Sequence, residues 1–256
     1  MIGVVAEAES YRIAVAELPL SASLTDDPVA AIVVVSGDGR WDDGVRAAAQ
    51  AGAVAVIVSR PSPVAAGRIE GLVADLGALP VVVERPYLRH DSMADVRRAR
   101  RGDGAQPAVI AVDAVAAAST FEPVLRDAVG WVRVLSGERS VLTAASEGLA
   151  LFAAPGREGV PAVLTAVRVL AGSDRISAHA LGEARGEIDA SEAGAIVSSA
   201  TTGGRTTAPR RRESPQRLTL RRAIEAVRLG APTSDLADLA ADADVAAQIT
   251  RSIARS

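Results

Sequence analysis

A chain of 256 residues with a net charge of −3 is long enough to bury one large core or two moderate ones, and it carries no global charge that would draw it to nucleic acid or anionic lipid. All 28 basic residues are arginine, which excludes Schiff-base chemistry, a lysine acid or base and a P-loop lysine. The absence of cysteine excludes disulfides, thiolate metal sites and a thiol nucleophile, and His90 and His179 alone are too few for a multi-histidine metal site. Hydrophobic residues make up 49% but aromatics only 2%, so the core has to be packed from Ala, Val, Leu and Ile.

The first 18 residues carry Glu7, Glu9, Arg12 and Glu17, not a basic segment followed by an apolar one, so no signal peptide is expected. No apolar run approaches the ~20 residues of a membrane helix, and the expected location is the cytoplasm. Short continuous apolar runs at 13–16, 31–35, 54–58 and 81–83 predict buried parallel strands. Helices are predicted between them at 44–51, with Asp42 or Asp43 as cap and Gly52 as stop, at 64–76, stopped by Gly77, and at 92–101, begun by Asp91 or Ser92. Strand–helix repetition of this kind builds a parallel sheet with crossovers, a Rossmann-like half.

Beyond Gly102-Asp103-Gly104 the pattern changes. A strand is predicted at 108–116 and an apolar helix at 124–135, stopped by Gly137. Extended segments follow at 141–145, 149–153, 162–170, 175–180 and 195–200 and read as an antiparallel sheet. Residues 203–215 read as a polar, Arg-rich loop. Closing helices are predicted at 218–229 and 235–254, the second capped by Thr233 or Ser234. The fold class is therefore α/β followed by α+β. The predicted domains are a truncated Rossmann-like domain at 1–106 and, at 107–256, an open-faced, mainly antiparallel sheet with helices on one side.

Several segments, in order, resemble the glucose–fructose oxidoreductase/inositol dehydrogenase (Gfo/Idh/MocA) family. Val29-Ala-Ala-Ile-Val-Val-Val35 and Gly44-Val-Arg-Ala-Ala-Ala-Gln-Ala-Gly52 look like the strand and helix before that family's Glu-Lys-Pro motif, and Val56-Ile-Val-Ser-Arg-Pro61 sits where the motif belongs. Val81-Val-Val-Glu-Arg-Pro-Tyr-Leu-Arg-His-Asp91 is similar to its strand and arginine-containing turn, and the helix from Pro123 to Gly137 resembles its Asp-x-Gly-x-His-x-x-Asp helix. The hairpin from Arg175 to Asp189 and the helix and turn from Arg222 to Pro232 look like later parts of the same fold.

The resemblance implies two-domain proteins that use NAD(P) on sugars and polyols and associate through the C-terminal sheet. It also exposes departures. Met1-Ile-Gly-Val-Val-Ala-Glu-Ala-Glu9 lacks the Gly-x-Gly-x-x-Gly turn, and the chain before Val29 looks too short for two strands and a helix. Arg60 stands at the family's lysine, Trp131 at its histidine and Val134 at its second aspartate, while Asp127 survives. The expectation is accordingly a catalytically degenerate member, binding neither NAD nor NADP tightly, that serves as a binding or scaffolding subunit. Its partner would be a second copy or an intact family paralogue docked through the C-terminal sheet, with no nucleic acid and no membrane involved. The alternatives are an NAD(P)-dependent sugar or polyol oxidoreductase with a divergent site, and a small-molecule sensor.

Residual catalytic candidates are Arg60, Asp127 and His90. Arg60 lies at a strand's carboxyl end and would contact an anion or sugar acid, unless it is a surface arginine kept by ancestry. Gly37 and Gly39, in Ser36-Gly-Asp-Gly-Arg40, would with Arg60 approach a cofactor, although a tight turn is the simpler reading. Arg85, Tyr87, Arg89, His90 and Asp91 form a polar cluster best read as an interdomain turn, because neighbours on extended chain point apart. Trp131 would stack on a sugar or, more simply, fill a core. Arg205, Arg210, Arg211, Arg212, Arg217, Arg221 and Arg222 read as a solvated loop, ahead of acidic-partner docking and, last, nucleic acid. No metal site is expected.

Overall fold

The computed structural model describes residues 1–103, 107–137, 141–146, 148–153, 159–209 and 211–253. In chain order the first elements are β1 (Ile2–Val5), α1 (Glu9–Ala16), β2 (Ala22–Leu24), β3 (Ile32–Ser36), α2 (Trp41–Gln50), β4 (Ala55–Ser59), α3 (Ala66–Leu76), β5 (Val81–Glu84) and α4 (His90–Asp103). Then come β6 (Val109–Ala117), α5 (Phe121–Ser136), β7 (Val141–Ser146), β8 (Leu149–Ala153), β9 (Ala162–Val169), β10 (Arg175–Leu181), β11 (Arg185–Ser191), β12 (Gly194–Thr201), β13 (Gly204–Thr207), α6 (Pro215–Leu229) and α7 (Asp235–Ile253). Among the described residues no helix is long and apolar enough to cross a membrane.

The chain forms two compact units. One holds Met1–Arg85 and Arg212–Ala241, the other Pro86–Arg211 and the chain from Asp242 onward. A single boundary after residue 106 falls outside the described residues, and the observed division lies earlier. It is also discontinuous, because Leu220, Ala223 and Ile224 of α6 enter the same core as Val4, Ile32, Ile57 and Val82. Burying one apolar stripe of α6 against that sheet outweighs its distance along the chain.

The first unit is a five-stranded parallel sheet in the order β2-β1-β3-β4-β5. Its central strands follow from composition. Ala55, Val56, Ile57 and Val58 are all buried, as a parallel strand covered on both faces requires. The strand predicted at 13–16 is instead the end of α1. Tyr11, Ala14 and Val15 are buried while Ile13 is 52% exposed, which is helical spacing, and a four-residue apolar run cannot by itself discriminate the two periods. The expected shortage of chain before Val29 is also corrected. Two strands and a helix fit there because all three are short, and β2 then reaches β3 through residues 25–31 with no helix. The free edge of β5 is closed by side chains: Thr233 Oγ1 donates to the Val81 carbonyl, and the Val83 amide donates to Asp235 Oδ2 at 2.9 Å. Arg222 grips both Asp235 oxygens at 2.8 Å, so Asp235 and Thr233 stand in for a sixth strand.

The second unit is an eight-stranded sheet in the order β13-β12-β11-β10-β6-β9-β8-β7, antiparallel except for the β6–β9 pair. Strand alternation sends Ile110, Val112 and Ala114 of β6, Leu164 of β9 and Ile176 and Ala178 of β10 inward against Leu125, Ala128 and Trp131 of α5. The opposite face carries exposed Leu149, Leu151, Val115 and Val167 beside the Arg175–Asp189 ion pair. Gly137, at φ +81°, ends α5 in the left-handed conformation that glycine adopts freely. Residues 204–207, expected as loop, form β13. All four are exposed, so no apolar alternation marks them, and only their pairing with β12 makes them a strand.

Candidate functional site

In the first unit the chain leaves β1 toward β2 on one side and β3 toward β4 on the other. The strand order therefore reverses between β1 and β3, and the crevice outside the carboxyl ends there is where open α/β sheets bind ligands. That edge gathers Ala6 to Glu9 after β1, Thr25 to Asp27 after β2, Ser36 to Asp38 after β3, Ser59 to Pro61 after β4, and Glu84 ending β5.

Glu84 is the hub of this edge. It is 2% exposed, and its Oε2 accepts from the Tyr11 hydroxyl at 2.7 Å and from Ser59 Oγ at 2.9 Å. Its Oε1 accepts from Gln216 Nε2 at 2.8 Å and lies 3.9 Å from Arg60 Nε. One carboxylate thus ties together α1, β4, β5 and α6. Burial raises the Tyr11 pKa well above the ordinary phenol value, and the charge of Glu84 and the hydrogen bond to it raise it further, so the hydroxyl stays a donor. Neither residue was singled out in the sequence. The signal was a charged residue closing the apolar run Val81-Val-Val-Glu84.

Arg60 has φ +50°, a conformation costly for a residue with a Cβ, and neighbouring backbone holds it there. The Gly37 amide donates to the Ser59 carbonyl at 2.8 Å, and the Ser62 amide donates to the Gly37 carbonyl at 2.7 Å. A Cβ on Gly37 would stand 2.1 Å from the Ser59 oxygen and 2.5 Å from the Arg60 oxygen. The fold itself therefore explains this glycine, and Gly39 occupies a turn at φ +57°. The Arg60 side chain is half exposed and spans the distance between the hub and solvent.

The other candidates lie in the second unit. Asp127 is fully buried on α5. Its Oδ2 accepts from the Tyr87 amide at 3.3 Å and its Oδ1 lies 3.5 Å from Arg126 Nε. Trp131, one turn on and also fully buried, donates from Nε1 to the Tyr87 carbonyl at 2.7 Å. Asp127 and Trp131 together clamp both backbone groups of Tyr87, whose hydroxyl donates to Asp174. Trp131 is core filler with a polar handle.

His90 begins α4, and the neighbouring Asp91 spends its oxygens on Arg89, at 3.1 and 2.7 Å, and on the Ser92 amide at 2.8 Å. Partial burial opposes ionisation of Asp91, but the hydrogen bonds and charge of Arg89 outweigh it and lower the pKa. Five arginines of the arginine-rich stretch are ion-paired. Arg205 meets Glu187, Arg211 meets Asp95, Arg217 and Arg221 meet Glu213, and Arg222 meets Asp235. Arg210 lies outside the described residues. Among the described residues no group of three or more His, Asp or Glu side chains is placed to hold a metal.

The dinucleotide fit rests on the β1–α1 turn. No side chain caps α1, whose N-cap is Ala8, and the turn carries the small residues Ala6 and Ala8 in place of glycines. Asp26 stands twenty residues beyond Ala6, directly after the strand paired with β1, where an acidic residue meets a dinucleotide ribose. Glu7 and Glu9 oppose a pyrophosphate at this end, Glu9 being partly offset by Arg12 at 3.6 Å.

No family model matches the chain, and no curated protein matches it by sequence. Solved structures match over almost its whole length. A UDP-N-acetylglucosamine 3-dehydrogenase (GnnA) from Acidithiobacillus ferrooxidans is 12% identical at a TM-score of 0.69, covering 98% of this chain and 97% of that one. A 3-ketoreductase (KijD10) from Actinomadura kijaniata, solved with NADP and TDP-benzene, is 13% identical at 0.67, covering 98% and 97%. An aldose–aldose oxidoreductase from Caulobacter crescentus, solved with glycerol, is 13% identical at 0.68, covering 98% and 88%. The chain has the two-domain fold of these Gfo/Idh/MocA-type oxidoreductases. The expectation of no cofactor is thereby corrected. It rested on a missing glycine turn and a short N-terminus, yet the β1–α1–β2 unit is formed, and a protein of this fold was solved with NADP at 97% coverage of its length.

Proposed function

We propose that this chain binds a nicotinamide dinucleotide at the carboxyl edge of its five-stranded sheet and presents a sugar-derived ligand to Arg60, with little capacity to move a proton. The observation that carries this reading is the uncapped α1 amino end at the β1–β3 switch point, followed after β2 by Asp26. When bound, the dinucleotide supplies a hydride acceptor or donor. The chain's own residues supply contacts: Arg60, protonated throughout the physiological range, stabilises negative charge on a ligand oxygen but relays no proton. Asp127 and Trp131, which resemble the family's relay positions, are committed to holding Tyr87. These features favour a catalytically degenerate binding subunit over a fast dehydrogenase.

Calorimetry with NAD⁺ and NADH on the full chain tests the cofactor. Micromolar binding without turnover of hexoses and polyols is the expected result, and turnover at ordinary dehydrogenase rates would refute the degenerate reading. If the pyrophosphate meets α1, Glu9→Gln tightens binding by about threefold, as removal of one like charge from a helix amino end predicts. Unchanged affinity would place the dinucleotide elsewhere.

The outward face of the larger sheet supports assembly. Leu149, Leu151, Val115 and Val167 leave apolar side chains in water, and each Å² that a partner covers contributes ~25 cal/mol. A second copy or an intact family paralogue is the expected occupant. Light scattering should show an oligomer that Val167→Asp dissociates while the first unit stays folded. A monomeric parent chain would argue against a homo-oligomer.

A further inference from the structure

We infer that Asp38-Gly39, in the turn after β3, is a site of spontaneous backbone isomerisation, and that the change resets the turn that carries Arg60. This chemistry does not depend on the dinucleotide reading. Asp is followed by Gly at three places, 38–39, 43–44 and 103–104. Glycine lacks the Cβ that would shield its amide, so its nitrogen can attack Cγ of the preceding Asp. The N–Cγ bond forms, water leaves and a succinimide ring closes. Water then reopens the ring. Where the original peptide C–N bond is the one that breaks, the chain runs on through Cγ as isoaspartate, with no net change in mass or oxidation state.

The fold separates the first two sites. Asp38 and Gly39 are both exposed, and Gly39, at φ +57°, has nothing within 4 Å of the place a Cβ would take. Among the described residues the Asp38 carboxylate meets only the Ser36 hydroxyl, which donates to Oδ2 at 2.9 Å. That bond is exposed, and water replaces it at little cost. Asp43 and Gly44 lie within α2, where ring closure has to rotate Asp43 out of its helical ψ. Gly44 packs on Val35, whose Cγ1 would stand 2.9 Å from a Cβ. Arg40 at 2.5 Å, Arg68 at 3.4 Å and Arg46 at 3.7 Å grip the Asp43 carboxylate, which must be freed before it can turn onto the Gly44 amide. Gly104 lies outside the described residues.

The turn is tied down on both sides of the reacting bond. Before it, the Gly37 amide donates to the Ser59 carbonyl at 2.8 Å, and the Gly37 carbonyl accepts from the Ser62 amide at 2.7 Å. After it, the Gly39 carbonyl accepts from Ser62 Oγ at 3.3 Å. Isoaspartate adds one carbon to the main chain between these anchors, so Ser62 cannot keep both in their present geometry. Arg60, at φ +50°, stands between Ser59 and Ser62 and is held by the same bonds. The Ser62 carbonyl also accepts from Trp41 Nε1 at 3.0 Å, so the indole reports on this turn.

Trypsin, cutting after Arg12, Arg40 and Arg46, places the two sites on separate peptides, 13–40 and 41–46, and one digest carries its own control. The full chain is held for several weeks below its melting midpoint, folded or in urea, then digested, and electron-transfer fragmentation locates isoaspartate. In the folded chain it should accumulate at 38 at least about tenfold faster than at 43, the gap that ~1.4 kcal/mol of local opening produces. In urea the two rates should converge. Asp38→Glu, whose longer side chain closes such a ring far more slowly, should lose the signal at 38. In a Trp131→Phe background the Trp41 emission of the parent should shift in step with the isomerised fraction, and that of Asp38→Glu should stay in place. Isoaspartate forming as fast at 43 as at 38 in the folded chain, or not at all at 38, would overturn the site. Isomerisation at 38 that leaves Trp41 emission unmoved would overturn its coupling to the Arg60 turn.

Discussion

Glu84→Ala should destabilise the first unit by about 3–5 kcal/mol, the range for removing one partner of a buried, hydrogen-bonded charge. The reason is what remains. Tyr11, which is fully buried, loses the acceptor of its hydroxyl, and Ser59 and Gln216 lose theirs. Glu84→Gln keeps the shape but sets an amide N–H among these donors, and should fall in between. Each unit holds one buried tryptophan, Trp41 in the first and Trp131 in the second. Urea unfolding followed by Trp41 fluorescence in a Trp131→Phe background therefore isolates the first unit.

The same hub shapes alkaline stability. The folded-state pKa of Tyr11 is raised, so the folded chain keeps a proton that the unfolded chain releases above about pH 10. Stability from this group is complete below that pH and is lost as pH rises through the folded pKa. Tyr11→Phe should lower stability at neutral pH by about 1 kcal/mol, through the lost hydrogen bond, and flatten the alkaline decline. A decline as steep in the variant as in the parent would show that other groups govern it.

Asp127→Ala should cost the second unit about 3–5 kcal/mol. The carboxylate is fully buried, accepts from the Tyr87 amide and lies against Arg126, itself 5% exposed. Its loss strands an amide and removes a charge partner from a buried guanidinium. Asp127→Asn retains an acceptor for Tyr87 and should cost less, on the order of 1–2 kcal/mol. A residue serving only chemistry in an open cleft would show the reverse pattern, with activity lost and stability unchanged. Trp131 fluorescence in a Trp41→Phe background is the appropriate measurement, since Trp131 binds the same Tyr87 backbone.

The parts of this protein legible in its sequence are those written in local periodicity. Continuous Val and Ile runs determined β3, β4 and β5, because a strand covered on both faces must be apolar throughout. Alternation determined β9 and β10, and Gly77 and Gly137 marked the ends of α3 and α5. Arg60 was found because a strand's carboxyl end is a position the pattern itself reveals. The Ile13–Ala16 run went the other way, since only burial of Tyr11, Ala14 and Val15 on one side distinguishes the end of a helix from a strand. Glu84 was invisible as a site because its meaning lies in Tyr11, Ser59 and Gln216, donors up to 132 residues away along the chain. The return of α6 to the first unit, β13 on the edge of the eight-stranded sheet and the ion pairs of the arginines were likewise decided by tertiary structure. Buried polar groups must find partners wherever the fold brings them, and no pattern within a single segment records which partner that will be.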